Sequence, residues 1–272
     1  MFSWIDGCPA DLLSIKDRGL AYGDGLFETI AVKHGRPSLL ERHLQRLEGG
    51  CARLGIAADL NLVHRELLAF ATQLGDGVMK LIITRGDSQR GYAPAPNAQP
   101  RRILQGGPPP LYPSAHAAQG VRLFACQTRL AEQPLLAGLK HLNRLEQVLA
   151  RSEWQDSDHA EGLMLDTSGR VIEGVYSNLF LISGGVLLTA DLARCGVAGV
   201  MRAELLEQAP ALGIPIVVRD LQMSDLQQAD EVFLCNSVYG VWPVCGFMQL
   251  SWPVGPLTRK LQRTVLALLD IA

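Results

Sequence analysis

The sequence has 272 residues, 48% hydrophobic and 19% charged, so the chain can bury a substantial core and is not disordered. Its formal net charge of -2 argues against a general nucleic-acid binder and against a protein that binds membranes through basic residues. No apolar run approaches the roughly 18 residues of a membrane span, and the start, MFSWIDGCPA, has neither the basic nor the apolar region of a signal peptide. We therefore expect a soluble, cytoplasmic protein with no nucleic-acid or membrane partner.

The cysteines give no sign of a metal centre. There are six of them, scattered along the chain without a C-x-x-C pair. Spacing of this kind is typical of reduced, mostly buried thiols, so we expect no bound metal.

The first part of the chain alternates strands and helices. Residues 25–40 are predicted to form a strand, a His-Gly turn and a second short strand. In residues 39–55, leucines and His43 recur at helical spacing, and Gly49-Gly50 is expected to weaken or end that helix. Residues 58–75 predict a second amphipathic helix closed by Gly75, and residues 78–84 predict a strand.

A proline-rich stretch then interrupts the pattern. Residues 91–113 contain a possible short strand at 101–105, and the GGPPP run at 106–110 is the best candidate for a domain boundary. The elements predicted after it are a strand near 120–127, a helix from residue 143, hairpins over 162–189, a helix near 200–209, strands near 214–219 and 231–235, and a helix near 256–270.

Strands and helices mix without the regular alternation of a doubly wound sheet, so we expect two α/β layers with a ligand cleft between them. The predicted domains are a smaller one at 1–108, a linker at 109–118 and a larger one at 119–272, which carries Lys140.

Lys140 attracts attention because only five of the 25 Lys and Arg residues are lysines. It lies in the apolar stretch LLAGLKHL, where partial desolvation favours the neutral, nucleophilic amine. We expect Asn143 to cap the helix that follows, with Glu146 completing a capping box and Leu145, Val148 and Leu149 forming the buried face. A surface lysine with a partly buried stem is the alternative.

Three further features suit an anionic or protonated ligand. Gly196 and Gly199 open a helix near residue 200, whose free N–H groups could bind a phosphate, although an ordinary tight helix entry fits as well. Arg46 could bind a phosphate from the polar side of its helix, or only form a solvated surface. Glu173 interrupts an apolar strand and needs a partner, either a protonated cofactor nitrogen or a structural arginine. An amine, a phosphate site and a carboxylate are together what pyridoxal 5'-phosphate (PLP) requires.

Five stretches of sequence carry a resemblance to a known family. They are DRGLAYGDGLFET (17–29), HLQRL (43–47), KHLNRLEQVLAR (140–151), EGVYSNLF (173–180) and GVAGVMR (196–202). In this order they resemble the fold-type IV PLP enzymes, and the third is most similar to their aminodeoxychorismate lyase branch. The resemblance implies a mixed α+β, two-domain fold like that of D-amino-acid aminotransferases, with the cofactor in the interdomain cleft.

The resemblance also implies roles in cofactor binding. Lys140 would bind the cofactor aldehyde covalently and act as the catalytic base, Glu173 would contact the ring nitrogen, and Arg46 would bind the phosphate. The remaining phosphate neighbours would be the backbone N–H groups of Val200 and Met201 and, as a further neighbour, Asn236. Some relatives have a tyrosine after the asparagine of this motif where Arg144 stands here, which leaves the partner of the cofactor's phenolic oxygen open.

Other residues would serve the substrate. Thr29 matches a hydroxyl near the departing enolpyruvyl oxygen and is a second candidate catalytic residue, although a β-branched residue also suits a strand. Arg90, Tyr92 and Phe27 match substrate-binding positions.

The implied activity is a carbon–oxygen lyase that converts 4-amino-4-deoxychorismate into 4-aminobenzoate and pyruvate for folate biosynthesis. A D-amino-acid or branched-chain aminotransferase is the alternative, and a non-catalytic PLP-binding module is a third possibility. Relatives of this fold type are commonly dimers, so we expect a homodimer.

Overall fold

The computed structural model describes residues 2–89 and 91–269, which divide into two compact units. The first unit holds the described residues up to Pro110, together with Lys140–Asn143 and Leu269. The second holds Leu111–Leu139 and Arg144–Leu268. The short segment around Lys140 thus belongs with the N-terminal unit, although it follows the first strand of the second.

The first unit is a sheet with helices packed on it. Its strands are β1 (Phe2–Ile5), β2 (Cys8–Pro9), β3 (Gly25–Lys33), β4 (Arg36–Pro37), β5 (Gly77–Thr84) and β6 (Arg101–Gly107), and its helices are α1 (Arg18–Tyr22), α2 (Leu40–Leu54) and α3 (Leu60–Leu74). Among the described residues the sheet is six-stranded and antiparallel, in the order β2-β1-β6-β5-β3-β4. Burial alternates along β3, with Leu26, Glu28 and Ile30 buried and their neighbours Phe27 and Thr29 half-buried.

The predicted elements of this unit are confirmed except at one point. Gly75 ends α3, as expected, and Asp59 caps the start of that helix through its side chain. Helix α2, however, runs through Gly49-Gly50 and ends only at Gly55, which adopts φ +64°. A glycine in a helix costs about 1 kcal/mol. Burial of Leu47 and Cys51 on the same helix offsets that cost, so packing outweighs the local propensity.

The second unit is built on a larger sheet. Its strands are β7 (Val121–Leu130), β8 (His159–Asp166), β9 (Val171–Gly174), β10 (Asn178–Ser183), β11 (Val186–Ala190), β12 (Ile216–Arg219), β13 (Glu231–Asn236), β14 (Gly240–Phe247) and β15 (Leu250–Ser251), and its helices are α4 (Ser114–Gln119), α5 (Leu145–Arg151), α6 (Val200–Ala211), α7 (Met223–Gln228) and α8 (Pro256–Leu269). In the described part the strand order is β12-β11-β10-β13-β14-β7-β8-β9, with β15 on β14. Strand β9 pairs with both β8 and β10, which brings three strands together at one place.

The predicted hairpins and helices of this unit are confirmed, whereas α4, α7, β14 and β15 were not predicted. Residue 270, the predicted end of the last helix, lies outside the described residues.

The start of α5 differs from the prediction. The N-cap is Arg144, without a side-chain capping bond, so the predicted capping box is wrong. Asn143 instead donates from Nδ2 to the Gly23 carbonyl at 3.1 Å, and Glu146 accepts from the Ala131 N–H at 2.8 Å. The predicted buried face is also wrong, because its three apolar side chains are exposed: Leu145 by 76%, Val148 by 57% and Leu149 by 60%. Helical spacing shows that leucines share a face, but not what covers that face.

No helix of the described chain combines the length and apolar character needed to cross a membrane. All six cysteines are free thiols; Cys51, Cys126, Cys195 and Cys235 are buried, and Cys8 is exposed.

Candidate active site

Lys140 is fixed through its backbone to the start of β3. The Phe27 N–H donates to the Lys140 carbonyl at 2.9 Å, and the Leu142 N–H donates to the Gly25 carbonyl at 3.0 Å. These bonds make residues 140–142 a short antiparallel partner of β3. The Lys140 side chain is half-buried, and its Nζ lies 4.3 Å from the centroid of the Phe27 ring. Two residues of the predicted site, Lys140 and Phe27, are therefore in contact.

A second lysine lies over the same aromatic ring. Lys80 stands directly opposite Thr29 in the β3–β5 register, and opposite residues share one face of a sheet. The Lys80 Nζ lies 5.0 Å from the Phe27 centroid. The Lys80 ammonium contacts this ring and forms no ion pair with any of the described residues. The half-buried face formed by Phe27, Thr29, Lys80 and Lys140, here called the lysine face, is suited to a ligand with negative charge.

The opposite face of β3 contains a buried charge cluster. Glu28 accepts from Arg46 Nε at 2.8 Å and from a second nitrogen of the same guanidinium, and His43 Nδ1 lies 2.6 Å from Glu28 Oε2. Burial alone would raise the pKa of Glu28, but the charge of Arg46 and the hydrogen bond from His43 outweigh it and lower the pKa to about 2. Burial lowers the pKa of His43, so its ring is neutral near pH 7. The predicted phosphate ligand Arg46 is thus bound to a carboxylate that sequence reasoning did not single out.

Glu173 is the centre of a hydrogen-bonded group in the second unit. The residue is 4% exposed, and its Oε2 accepts from the Val197 N–H at 2.9 Å and from Asn178 Nδ2 at 3.2 Å. Asn178 Nδ2 also donates to the Val197 carbonyl at 2.8 Å, so one amide joins the strand pair β9–β10 to the loop before α6. Burial lowers the pKa of Arg144, and the charge of Glu173 opposes this. A buried carboxylate is suited to binding a protonated nitrogen.

The start of α6 is suited to an anion. Its N-cap, Gly199, forms no side-chain capping bond, and the first turn has no acidic residue. The first N–H groups of a helix have no intrahelical acceptor, which leaves those of Val200 and Met201 available to a phosphate. Arg202 in the same turn donates to the Ala190 carbonyl at 2.9 Å.

Two of the remaining predicted residues have contacts within the chain, and a third is not described. Asn236 uses its Oδ1 to accept from the Val238 and Tyr239 N–H groups at 2.9 and 3.0 Å, so this oxygen stabilises its own turn. Tyr92 is 84% exposed and packs against Tyr22, with ring centroids 5.4 Å apart. Arg90 lies outside the described residues.

Sequence reasoning missed several neighbours of these residues: Glu28, Lys80, Asn178 and Arg202. Alternation along β3 contained a signal for Glu28, because it places a carboxylate on the strand's apolar face. The contact of Lys80 with Phe27 depends on strand register, which residue types alone do not reveal.

Comparison with known proteins shows the family to which the chain belongs. The family described as amino-transferase class IV matches residues 25–247. The chain is 65% identical to 4-amino-4-deoxychorismate lyase of Pseudomonas aeruginosa, whose solved structure matches with a TM-score of 0.96 over 97% of this chain and 98% of that one. It is 37% identical to aminodeoxychorismate lyase of Vibrio harveyi, covering 95% of this chain and 97% of that protein. It is also 28% identical to D-alanine aminotransferase of Bacillus licheniformis, covering 92% and 89%. The expected mixed α+β, fold-type IV architecture is confirmed.

Members of this family depend on PLP, as the resemblance implied. The residues of this chain fit that cofactor. Lys140 supplies an amine, Glu173 a buried carboxylate, and α6 a helix start without a side-chain cap or an acidic first turn. The bound cofactor supplies an electron sink for a carbon that loses a proton.

Proposed function

We propose that the protein is a PLP-dependent lyase that converts 4-amino-4-deoxychorismate into 4-aminobenzoate and pyruvate in folate biosynthesis. The observation that carries this proposal is the 65% identity, over 97% of the chain, to a protein named 4-amino-4-deoxychorismate lyase. The lysine face adds chemical support, because it places an amine, a hydroxyl and a second ammonium on one side of a sheet.

In the proposed site, each contact to the cofactor is assigned to a residue of the chain. Lys140 binds the aldehyde, and Glu173 binds the protonated ring nitrogen with its orientation fixed by Asn178 and the Val197 N–H. The phosphate is bound by the N–H groups of Val200 and Met201 and by Arg46, with Asn236 as a further neighbour. The predicted domains, 1–108 and 119–272 with the linker 109–118, are part of the same proposal.

The chemistry requires one proton removed and one delivered. With the cofactor bound, the Lys140 amine would remove the proton from C4 of the substrate ring. The bond between the ring and the enolpyruvyl oxygen breaks, and its electron pair leaves with the oxygen as the ring becomes aromatic. The Thr29 hydroxyl would give a proton to that oxygen and regain one from the Lys140 ammonium, which holds the proton taken from C4, and the resulting enol becomes pyruvate. Atoms and charges then balance without a second substrate.

Substrate recognition depends on charge in this proposal. 4-Amino-4-deoxychorismate carries two carboxylates, and the Lys80 ammonium is a cation on the lysine face suited to one of them. Phe27 supplies a flat apolar surface for the ring, and Arg90 and Tyr92 stay predicted contacts of the other carboxylate.

The test is an assay with 4-amino-4-deoxychorismate and no keto acid. We expect pyruvate and 4-aminobenzoate in equal amounts. Turnover only with an amino acid and a keto acid would show an aminotransferase, and PLP binding without any turnover would show a non-catalytic module.

We also propose that the protein is a cytoplasmic homodimer. The support for the dimer is the exposed apolar face of α5, formed by Leu145, Val148 and Leu149 and here called the α5 face. Contiguous exposed apolar side chains are typical of surfaces that another chain covers.

A further inference from the structure

A second buried acidic side chain, Glu161, lies beside the strand pair that carries Glu173. Glu161 is on β8 and is 0% exposed. Its Oε1 accepts from the Gly162 and Val175 N–H groups at 3.0 and 3.1 Å. Its Oε2 accepts from the Ser177 hydroxyl at 2.7 Å and from the Tyr176 N–H at 3.4 Å. Three of these donors belong to the turn at residues 174–177, which joins β9 to β10.

This turn determines where Glu173 stands. Its two flanking residues, Glu173 and Asn178, are directly opposed in the β9–β10 register and bonded through their side chains. The Gly174 N–H donates to the Ser177 carbonyl at 2.7 Å and closes the turn. A side-chain carbon at position 174 would lie 2.3 Å from the Ser177 hydroxyl oxygen, so the glycine permits the close approach of Ser177 to Glu161.

Hydrogen bonds also join Glu173 and Asn178 to the loop before α6. Asn178 and Glu173 both bond to Val197, and the Val197–Gly199 segment leads directly into the helix start. A side-chain carbon at Gly199 would lie 2.0 Å from Asn178 Oδ1, which shows how closely the loop and the amide fit. A change at Glu161 would therefore pass through one turn to Glu173 and Asn178, and through Asn178 to the loop.

We propose that Glu161 is a positioning residue, whose buried carboxyl group anchors the 174–177 turn and thereby orients Glu173 and Asn178 for the cofactor. Without it, the Tyr176 N–H and the Ser177 hydroxyl would lose this acceptor inside the unit, and the Val175 N–H would keep only the Gly162 carbonyl, at 3.1 Å. Burial raises the pKa of Glu161 to about 8 even though its donors oppose this, so burial of the group is costly and the donors are needed to keep it there. The inference rests on the proposed function, because only a bound cofactor makes the orientation of Glu173 matter.

The experiment compares Glu161→Ala with Glu231→Ala. Glu231 is a matched control, since it is also a buried glutamate of the second unit and accepts from the Leu257 and Thr258 N–H groups at 3.2 and 2.7 Å, at the start of α8. The first readout is hydrogen exchange of the proteins without PLP. We expect faster exchange at 174–178 and 196–199 in Glu161→Ala, and at 256–259 in Glu231→Ala.

The second readout is the dissociation constant of PLP, measured by dialysis without substrate. We expect it to rise about tenfold in Glu161→Ala, the low end of what losing an outer partner costs at metal sites. Glu231→Ala should bind PLP normally. In a Glu173→Gln background, removing Glu161 should change the constant less than twofold, because a positioning residue acts through its target.

Glu161→Gln keeps one acceptor oxygen and covers the case in which the alanine variant does not fold. Its PLP constant should lie between those of the wild type and the alanine variant. Normal PLP binding by a folded Glu161 variant would overturn the inference alone. Equal weakening by Glu161→Ala and Glu231→Ala, or full additivity with Glu173→Gln, would overturn it as well by showing a general stability effect. Failure of the unmodified protein to bind PLP would overturn the proposed function and this inference together.

Discussion

Lys140 differs from the other lysines in its surroundings rather than in its chemistry. Its backbone is bonded to β3 and its ammonium lies over Phe27, whereas Lys33 is 42% exposed and pairs with Asp76 at the surface. An amine held in place in this way loses little entropy when it reacts, which is how positioning contributes to catalysis.

Replacing Lys140 by alanine should abolish covalent PLP binding and lyase turnover while the protein still folds. Borohydride reduction followed by peptide mass analysis measures the attachment directly, and circular dichroism checks the fold. Lys33→Ala is the control and should keep both properties. A reduced PLP adduct on another lysine of the unmodified protein would exclude Lys140 from this role.

Thr29 allows the lyase to be separated from an aminotransferase. Removing a general acid typically lowers a rate roughly 10²–10⁴-fold. Thr29→Val keeps the β-branched shape preferred in strands, so PLP content should hardly change. Lyase turnover should fall by that factor, while any transamination should fall less, since transamination releases no enolpyruvyl group. Both activities are measured on one preparation and divided by bound PLP. An equal loss of both, or no loss, would show that Thr29 only packs.

Lys80 should act on substrate binding. A hydrogen bond to a charged group contributes about 1.5–3 kcal/mol, so Lys80→Met should raise KM about tenfold or more. The proposed role predicts little change in PLP affinity, because the residue is assigned to the substrate. Lys80→Arg keeps the charge and should recover much of the loss. If Lys80→Met weakens PLP binding and leaves KM unchanged, the assignment to a substrate carboxylate is wrong.

At the scale of elements, the Glu28–His43–Arg46 cluster joins β3 to α2. Its geometry gives α2 a fixed position on the sheet, since both His43 and Arg46 bond to one carboxylate. The cluster is buried beneath the strand that carries the lysine face, so strand position and site geometry depend on each other.

The cluster predicts a pH dependence of stability. The pKa of Glu28 is lowered from 4.5 in the unfolded chain to about 2 in the fold, so the folded state binds this proton less readily. Its contribution, about 3 kcal/mol by linkage, is present above pH 4.5 and is lost as the pH falls towards 2. Glu28→Gln should be less stable by a similar amount at pH 7, and its unfolding free energy should fall less between pH 4.5 and 2. Urea unfolding at several pH values measures both. If the unfolding free energy changes equally with pH in the unmodified protein and in Glu28→Gln, the prediction is contradicted.

How much of the fold the sequence reveals depends on the element. Helix α3 and strand β5 follow from periodicity, because each has one side buried within its own unit. Helix α2 was expected to weaken or end at Gly49-Gly50 and does not end there, because local propensity cannot weigh the burial of Leu47 and Cys51 against two glycines. Helix α5 was predicted with the wrong buried side, because the face that packs is decided by distant parts of the chain.

The residues of the candidate site also divide into those that local sequence predicts and those that depend on distant residues. Lys140 and Glu173 stand out because each contrasts with apolar neighbours in sequence. Lys80, Asn178 and Glu161 do not, because their importance comes from partners far along the chain: Lys80 lies 53 residues from Phe27 in sequence, and Glu161 bonds to a turn that begins 13 residues later. Residue types predict which cofactor is used; register and burial are needed to find what orients it.

At the scale of the whole molecule, the cofactor ligands of the proposal are spread from Arg46 to Asn236, so binding PLP requires most of the chain to be folded. A ligand that binds only the folded chain stabilises it by mass action. The melting temperature should therefore rise with PLP concentration in the unmodified protein. It should rise less in Glu173→Gln, which loses the proposed contact to the ring nitrogen.

The α5 face predicts the state of assembly. Three apolar side chains on a seven-residue helix are more than half exposed, and burying a leucine fully gains roughly 1.5–3 kcal/mol. A homodimer in which a second copy covers this face would recover that free energy, and the unmodified protein should have twice the 29.5 kDa chain mass by sedimentation.

Leu149→Glu would place a charge in the covered surface and should raise the dimer dissociation constant more than about tenfold, because an unpaired buried charge is costly. Val218→Glu is the control, since Val218 is exposed by 46% on the edge strand β12, and it should remain a dimer. A fully active monomer at working concentration would refute the dimer, and an intact Leu149→Glu dimer would exclude the α5 face from its interface.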